Sequence, residues 1–299
     1  MLRFGLFGTG HWATETHGAA LDAHSRVELA GVWGRDPAKA AVLADRYGVA
    51  AYDDADALIE AVDAVSVALP PDVQADIALR AATAGRHLLL DKPLALTAAD
   101  ADLVVSAAER SGVASVVFFT ARFQPAVDAF LTATAAAGGW YAAHALRSAS
   151  AFRPESPYRD SLWRRQHGGL WDLGPHALSV LLPVLGRVTR VAAVDGPRGL
   201  VNLVLTHEDG ASSTVSLTLD APPEVVRHET VFYGENGVRS VPLGEGGPLP
   251  AFAAAIDQLV TEIDSGTRDH RCDVRFGREV VAVLTAAETA RATARTVEV

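Results

Sequence analysis

The chain has 299 residues, 49% of them hydrophobic, enough for two domains with sizeable cores and far from any disordered or low-complexity composition. Its formal net charge is −10 with acids and bases interspersed, which argues against nucleic acid and against an anionic membrane surface as partners. The one cysteine, Cys272, excludes an intrachain disulfide and fits a reducing cytoplasm. The opening apolar run, Leu2 to Phe7, is broken too early by Gly8 to read as a secretory signal, and no run reaches the roughly 18 residues of a membrane span. Leu2 to Phe7 reads instead as a strand, and His11 to Ala23 as a helix. Val27 to Trp33 is the next strand. Asp36-Pro37 is an N-cap followed by a first helical position and starts a helix to about Tyr47. Ala64 to Leu69 is a buried strand stopped by Pro70-Pro71, and Asp72 to Ala84 is helical. His87 to Leu90 is a strand ended by Asp91-Lys92-Pro93. Thr97, with Asp100 three residues on, caps a helix to about Gly112, and Val113 to Phe119 is a further strand. Apolar strands alternating with helices of this length predict a doubly wound parallel sheet covered on both faces.

The second half has a different pattern. Val191–Val194, Leu200–Thr206, Ser212–Leu219, Val225–Tyr233 and Val238–Leu243 are strands with few helices between them, and His207-Glu208-Asp209-Gly210 is a hairpin turn. Ser212 to Leu219 alternates polar and apolar residues, so one face is buried and one is wet. Phe252–Ile263 and Arg278–Arg291 return to helix. The expected architecture is α/β in residues 1–120, followed by an α+β domain with a mainly antiparallel sheet in residues 121–299, its terminal helix packing back on the first domain.

Three stretches carry chemistry. Gly8-x-Gly10-x-x-Ala13 lies where the first strand meets the first helix. Gly8 permits a tight turn, Gly10 lets the backbone approach a pyrophosphate, and Ala13 allows close helix packing, while the helix N-terminus supplies N–H donors. This points to a dinucleotide cofactor. At the end of the second strand an NAD-selective site places a carboxylate for the ribose hydroxyls; Gly34 stands there, followed by Arg35, a partner for a 2′-phosphate. NADP is therefore expected over NAD, with Asp36 as a helix cap. Lys92 falls at the carboxyl end of a central strand, the edge that faces the ligand crevice in such sheets. Asp172 and His176 share a helix face if Asp172 begins a helical turn, and an imidazole oriented by a carboxylate can pass a proton. No compact metal-ligand spacing and no Gly-x-Ser-x-Gly elbow is present.

Taken together these stretches resemble the Gfo/Idh/MocA oxidoreductases. The resemblance rests on Gly8-Thr9-Gly10, Asp63-Ala64-Val65 through Pro70-Pro71, Ala84-Gly85-Arg86-His87 through Asp91-Lys92-Pro93, Arg122-Phe123-Gln124-Pro125, and Gly168-Gly169 through His176. It implies a Rossmann domain followed by a domain with a large open sheet used for dimer or tetramer contacts. It also implies NAD(P)-dependent oxidation or reduction of sugars, cyclitols or related polyols. By that resemblance Lys92, Asp172 and His176 are catalytic. The cofactor set is Gly8, Thr9, Gly10, His11, Trp12, Gly34, Arg35, Leu69, Pro70, Gln74, Asp91, Lys92 and Arg164. The substrate set is Lys92, Arg122, Trp163, Asp172 and His176, with no metal. Asp91, Leu69, Gln74 and Ser179 depart from the usual Glu, Thr, His and Asp of the pattern, so the substrate stays open. Two other readings remain at this point: a non-catalytic dinucleotide-binding sensor, and a glycosidase in which the bound cofactor is recycled.

Overall fold

The computed structural model describes residues 1–299. The chain divides into two compact units, one formed by residues 1–123 and 246–279 and the other by residues 124–245 and 280–299.

In the first unit β1 (Leu2–Phe7) leads through a π-helical turn, Ala13–Gly18, into α1 (Ala19–Ala23). Then follow β2 (Val27–Trp33), α2 (Pro37–Tyr47), β3 (Ala50–Tyr52), α3 (Ala55–Ala61), β4 (Ala64–Val67), α4 (Pro71–Thr83), β5 (His87–Asp91), α5 (Ala98–Ser111) and β6 (Ser115–Phe118). The strands form a six-stranded sheet in the order β3-β2-β1-β4-β5-β6, with every neighbouring pair parallel. The apolar runs of β4 and β5, broken only by the buried Ser66, are explained by burial on both faces: Ala64, Val65, Val67, Leu88, Leu89 and Leu90 are fully buried. Strand order reverses between β1 and β4, which makes the carboxyl ends of these two strands the topological switch point. The two anticipated caps are formed. Asp36 Oδ1 accepts from the Ala38 and Lys39 N–H groups, and Thr97 Oγ1 accepts from the Asp100 N–H at 3.0 Å.

The second unit begins with α6 (Pro125–Ala137), β7 (Trp140–Ser148), α7 (Leu162–Leu185), β8 (Val188–Asp195), β9 (Val201–His207), β10 (Ser212–Thr218), β11 (Arg227–Gly234) and β12 (Gly237–Ser240). After these come α8 (Pro248–Ser265) and α9 (Val274–Thr293), and β13 (Val297–Glu298) closes the chain. The seven-stranded sheet has the order β12-β11-β7-β10-β9-β8-β13. It is antiparallel except at β7–β10, which run parallel with Leu217 beside Arg147. Its inner face carries Ala143, Ala145, Arg147, Leu203, Leu205, Val215, Leu217 and Phe232, all buried. Helix α7 lies on that face: a Cβ on Gly174 would sit 3.6 Å from the Leu217 side chain. The outer face leaves Val194 and Val204 exposed.

Residues 246–279 rejoin the first unit. Phe252 of α8 packs on His17 at 4.0 Å and on Phe118 at 4.8 Å between ring centroids, and the Val117 N–H donates to the Cys272 carbonyl at 2.7 Å. Burial pushes the His17 imidazole down to about 3. It is neutral in the fold, with Nδ1 on Ser66 Oγ at 2.9 Å. No helix is long and apolar enough to cross a membrane.

Candidate active site

The loop after β1 is shaped by sterics. Gly8 has φ 132°, and a Cβ there would meet the Ala68 carbonyl oxygen at 2.4 Å and the Ala13 methyl at 3.3 Å, so only glycine fits and a small residue must follow at 13. A Cβ on Gly10 would meet nothing within 4 Å, so the backbone there faces open space at the sheet's switch point. Helical geometry starts at His11. The first N–H groups of that helix carry no intrahelical partner and a partial positive charge. Trp12 adds a buried indole N–H that has no partner in the fold. An anionic group with ribose hydroxyls can be held by these donors.

At the end of β2, a Cβ on Gly34 would approach the Thr9 methyl to 2.5 Å. No side chain, and so no carboxylate, fits where an NAD reader would stand unless Thr9 gives way. Arg35 is exposed, and the neighbouring Asp36, also exposed, is engaged as the α2 cap. Across the switch point, Leu69 leads to Pro70, which caps α4, and Pro71 opens that helix.

Gln74 is 1% exposed, and its amide is turned to the backbone that carries Lys92. Its Nε2 donates to the Asp91 carbonyl at 2.6 Å and to the Pro93 carbonyl at 2.9 Å, and its Oε1 accepts from the Asp91 N–H at 3.1 Å. This clamp was not legible in the sequence, where Gln74 stood as a departure from a family histidine and as a cofactor contact. Lys92 itself is buried, 9% exposed, at the carboxyl end of β5. Arg122, in the short helical turn Thr120–Phe123, is buried with its guanidinium 5.7 Å from the Phe276 ring centre.

In the second unit Gly168 adopts φ 65°, ψ −160° and breaks α7 into two runs. The second run starts at Gly169, where a Cβ would meet the Leu217 carbonyl carbon and the Thr218 nitrogen at 3.1 Å. Glycine thus lets the helix touch the sheet backbone, and it fixes where Asp172 falls, one turn along. Asp172 and His176 are four residues apart in the same helical run, on one face as anticipated. Asp172 is 8% exposed, and its Oδ2 accepts from Arg164 Nε at 2.9 Å. The Arg164 guanidinium lies over the Tyr158 and Trp163 rings, 4.1 and 4.6 Å from their centres. The sequence reading placed Arg164 toward a ligand; in the fold it holds the Asp172 carboxylate, while Trp163 holds Arg164. His176 is half-buried, and its carbonyl accepts from Ser179 Oγ at 3.0 Å. No group of three His, Cys, Asp or Glu residues is gathered for a metal.

A family model described as an oxidoreductase family with an NAD-binding Rossmann fold, GFO_IDH_MocA, matches residues 2–119. The chain is 29% identical to D-xylose 1-dehydrogenase (NADP(+)) 2 of Haloferax volcanii over 96% of its own length and 90% of that protein's. It is also 29% identical to the rhizopine catabolism protein MocA of Rhizobium meliloti, over 96% and 93% of the two chains. By these matches the chain is similar to the Gfo/Idh/MocA oxidoreductases, the family model covering its residues 2–119. A similar fold over both units is seen in the solved UDP-N-acetylglucosamine 3-dehydrogenase of Acidithiobacillus ferrooxidans, which superposes with a TM-score of 0.81 at 23% identity, covering 98% of each chain.

Proposed function

We propose that this protein is an NADP-preferring dehydrogenase or reductase of a sugar, cyclitol or related polyol. The observation that carries the cofactor choice is the packing of Thr9 against Gly34, which leaves no room for a ribose-binding carboxylate, next to an exposed arginine at 35. A carboxylate about 4 Å from a phosphate would cost roughly 4 kcal/mol per charge pair at an effective dielectric near 20; Gly34 avoids that cost and Arg35 supplies the opposite charge. Gly8, Thr9, Gly10, His11 and Trp12 would hold the pyrophosphate and adjoining ribose, with Leu69, Pro70 and Asp91 beside the nicotinamide. When bound, the nicotinamide supplies the hydride acceptor or donor. Lys92 gives or takes the proton of the reacting hydroxyl, and His176 shares it. Asp172, held by Arg164, orients that pair. Arg122 and Trp163 complete the substrate contacts.

The same reading takes the outer sheet face, where Val194, Val204 and Tyr233 are exposed, as the contact of a homodimer or homotetramer. It places the protein in a reducing cytoplasm, where buried Cys272 stays a thiol. A panel of sugars, inositols and small ketones with NADP and NAD, followed by the absorbance of the reduced nicotinamide, tests the function. Light scattering of the purified protein tests the assembly. Cofactor binding without turnover of any of these compounds would instead favour a sensor on the same fold. Cofactor that copurifies and cycles with no net absorbance change would favour the glycosidase.

A further inference from the structure

The inner face of the second unit's sheet holds a cation with no counter-ion. Arg147 is 7% exposed on β7 and makes no ion pair. Its one side-chain hydrogen bond is from Nη2 to Thr230 Oγ1 at 3.3 Å, and its Nε is buried without a partner. Burial pulls the guanidinium down to about 10, still fully charged at neutral pH. Several arginines of the unit are ion-paired, among them Arg164 with Asp172 at 2.9 Å, Arg291 with Asp195 at 2.7 Å and Arg198 with Asp220 at 3.3 Å. A buried charge left unpaired is among the more destabilising features a fold can carry, and nothing in the packing of β7 requires it.

Its position gives it a use. Arg147 is in register with Leu217 on the parallel neighbour β10, and Leu217 is where Gly169 brings α7 onto the sheet backbone. One strand spacing, about 4.8 Å, therefore separates Arg147 from the strand under the start of the Gly169–His176 segment, and Asp172 lies one helical turn further along. Arg147 shares the sheet face that α7 covers. On its other side β11 places His228 opposite it. His228 keeps solvent-exposed surface, while the packing around its ring and then the Arg147 charge hold it below the ordinary histidine value. It adds a hydrogen-bonding group there without a second positive charge.

We propose that Arg147 is the seat of a substrate carboxylate, so that the alcohol handled beside Asp172 and His176 belongs to a sugar acid and not to a neutral sugar. One planar, singly charged fork matches one carboxylate in charge and in bidentate geometry, whereas a phosphate monoester carries more charge than this site balances. The inference rests on the assignment of the second unit as the half that binds substrate, and it names the substrate class.

The test uses three matched pairs: D-glucuronate with D-glucose, D-galacturonate with D-galactose, and D-gluconate with D-sorbitol. D-Glucose 6-phosphate is the phosphate control. Binding is measured by calorimetry in the presence of NADPH, which cannot accept a hydride, and turnover is measured separately with NADP. The acid of at least one pair binds about 10- to 100-fold more tightly than its neutral partner, the range of a charge-assisted hydrogen bond. Arg147→Gln removes that preference and Arg147→Lys keeps part of it. The melting temperature of Arg147→Met stays level or rises, because an unpaired buried charge has gone. Equal binding of acid and neutral sugar in every pair, tighter binding of the phosphate, or an acid preference that survives in Arg147→Gln each overturns the proposal. So does a lower melting temperature in both Arg147→Gln and Arg147→Met with preference unchanged, which makes Arg147 a structural cation. A preserved acid preference with no turnover of any compound would refute the oxidoreductase reading and leave this one standing.

Discussion

Replacing Gln74 by leucine tests how the Lys92 segment is held. Gln74 is buried, and its three hydrogen bonds reach the Asp91 N–H, the Asp91 carbonyl and the Pro93 carbonyl, the backbone on either side of Lys92. Leucine fills comparable volume but satisfies none of them. At about 1 kcal/mol net for each bond, with a larger cost for any group left dry, the loss is about 3 kcal/mol. For a cooperative unit the size of the first, residues 1–123 and 246–279, that corresponds to a melting temperature roughly 6–12 °C lower by calorimetry. The second effect is on turnover. A lysine displaced by about an ångström costs on the order of 100-fold in rate, and it should appear in kcat with NADP affinity and substrate KM nearly unchanged. Gln74→Glu, which presents a carboxylate to two carbonyl oxygens, should do worse than leucine on both measures. A Gln74→Leu protein that melts and turns over like the parent would show that the Asp91–Pro93 backbone does not depend on this clamp, and the argument would be wrong.

Lys92→Ala should lower kcat by roughly 10²- to 10⁴-fold, the usual worth of a general acid or base, with NADP affinity from fluorescence titration intact; near-parental turnover removes Lys92 from the proton path. Arg35→Ala should reduce the kcat/KM preference for NADP over NAD by about 10- to 100-fold, and an unchanged ratio would return Arg35 to the role of a surface residue. Gly34→Asp alone should weaken both cofactors, since its Cβ meets Thr9 at 2.5 Å, whereas the same change combined with Thr9→Gly should shift preference toward NAD. His17 is held neutral with its value lowered to about 3, so between its unfolded value near 6.5 and about pH 3 the unfolded chain binds the extra proton. His17 therefore favours the fold fully above about pH 6.5 and progressively less as pH falls, and urea melts of His17→Phe should show a shallower loss of stability from pH 7 to 4.

Much of this was legible in the sequence, for identifiable reasons. The strands β1, β2, β4, β5 and β6 are mainly apolar runs, four of them ended within a few residues by Gly8, Gly34, Pro70 or Pro93, and the caps at Asp36 and Thr97 use local side-chain chemistry that reads directly from spacing. β3 and α3 were not anticipated: Ala50–Tyr52 is a three-residue edge strand and Ala55–Ala61 a seven-residue helix, too short for periodicity to show. Strand β7 was also missed, and with it the parallel β7–β10 pair in an otherwise antiparallel sheet, because pairing partners far apart in sequence leave no local signal. Glycine spacing pointed to the Gly8 turn, but the Thr9–Gly34 packing, the Gln74 clamp and the Arg164–Asp172 ion pair are tertiary contacts between segments 8 to 25 residues apart. Arg147 lies on β7, that same unforeseen strand, and its burial is a tertiary property with no local signal.

The return of residues 246–279 to the first unit has a consequence for synthesis on the ribosome. When residue 123 emerges, the sheet strands are all present, yet Phe118 and His17 still lack the Phe252 ring that covers them, and the Val117 amide lacks its acceptor at Cys272. The nascent segment must wait, with greasy surface open to water, until residues 246–279 have been made. An expression clone stopped at the end of the nucleotide-binding sheet would inherit that exposed patch permanently and should collect in inclusion bodies, while one that grafts 246–279 behind residue 123 through a short linker should stay in solution.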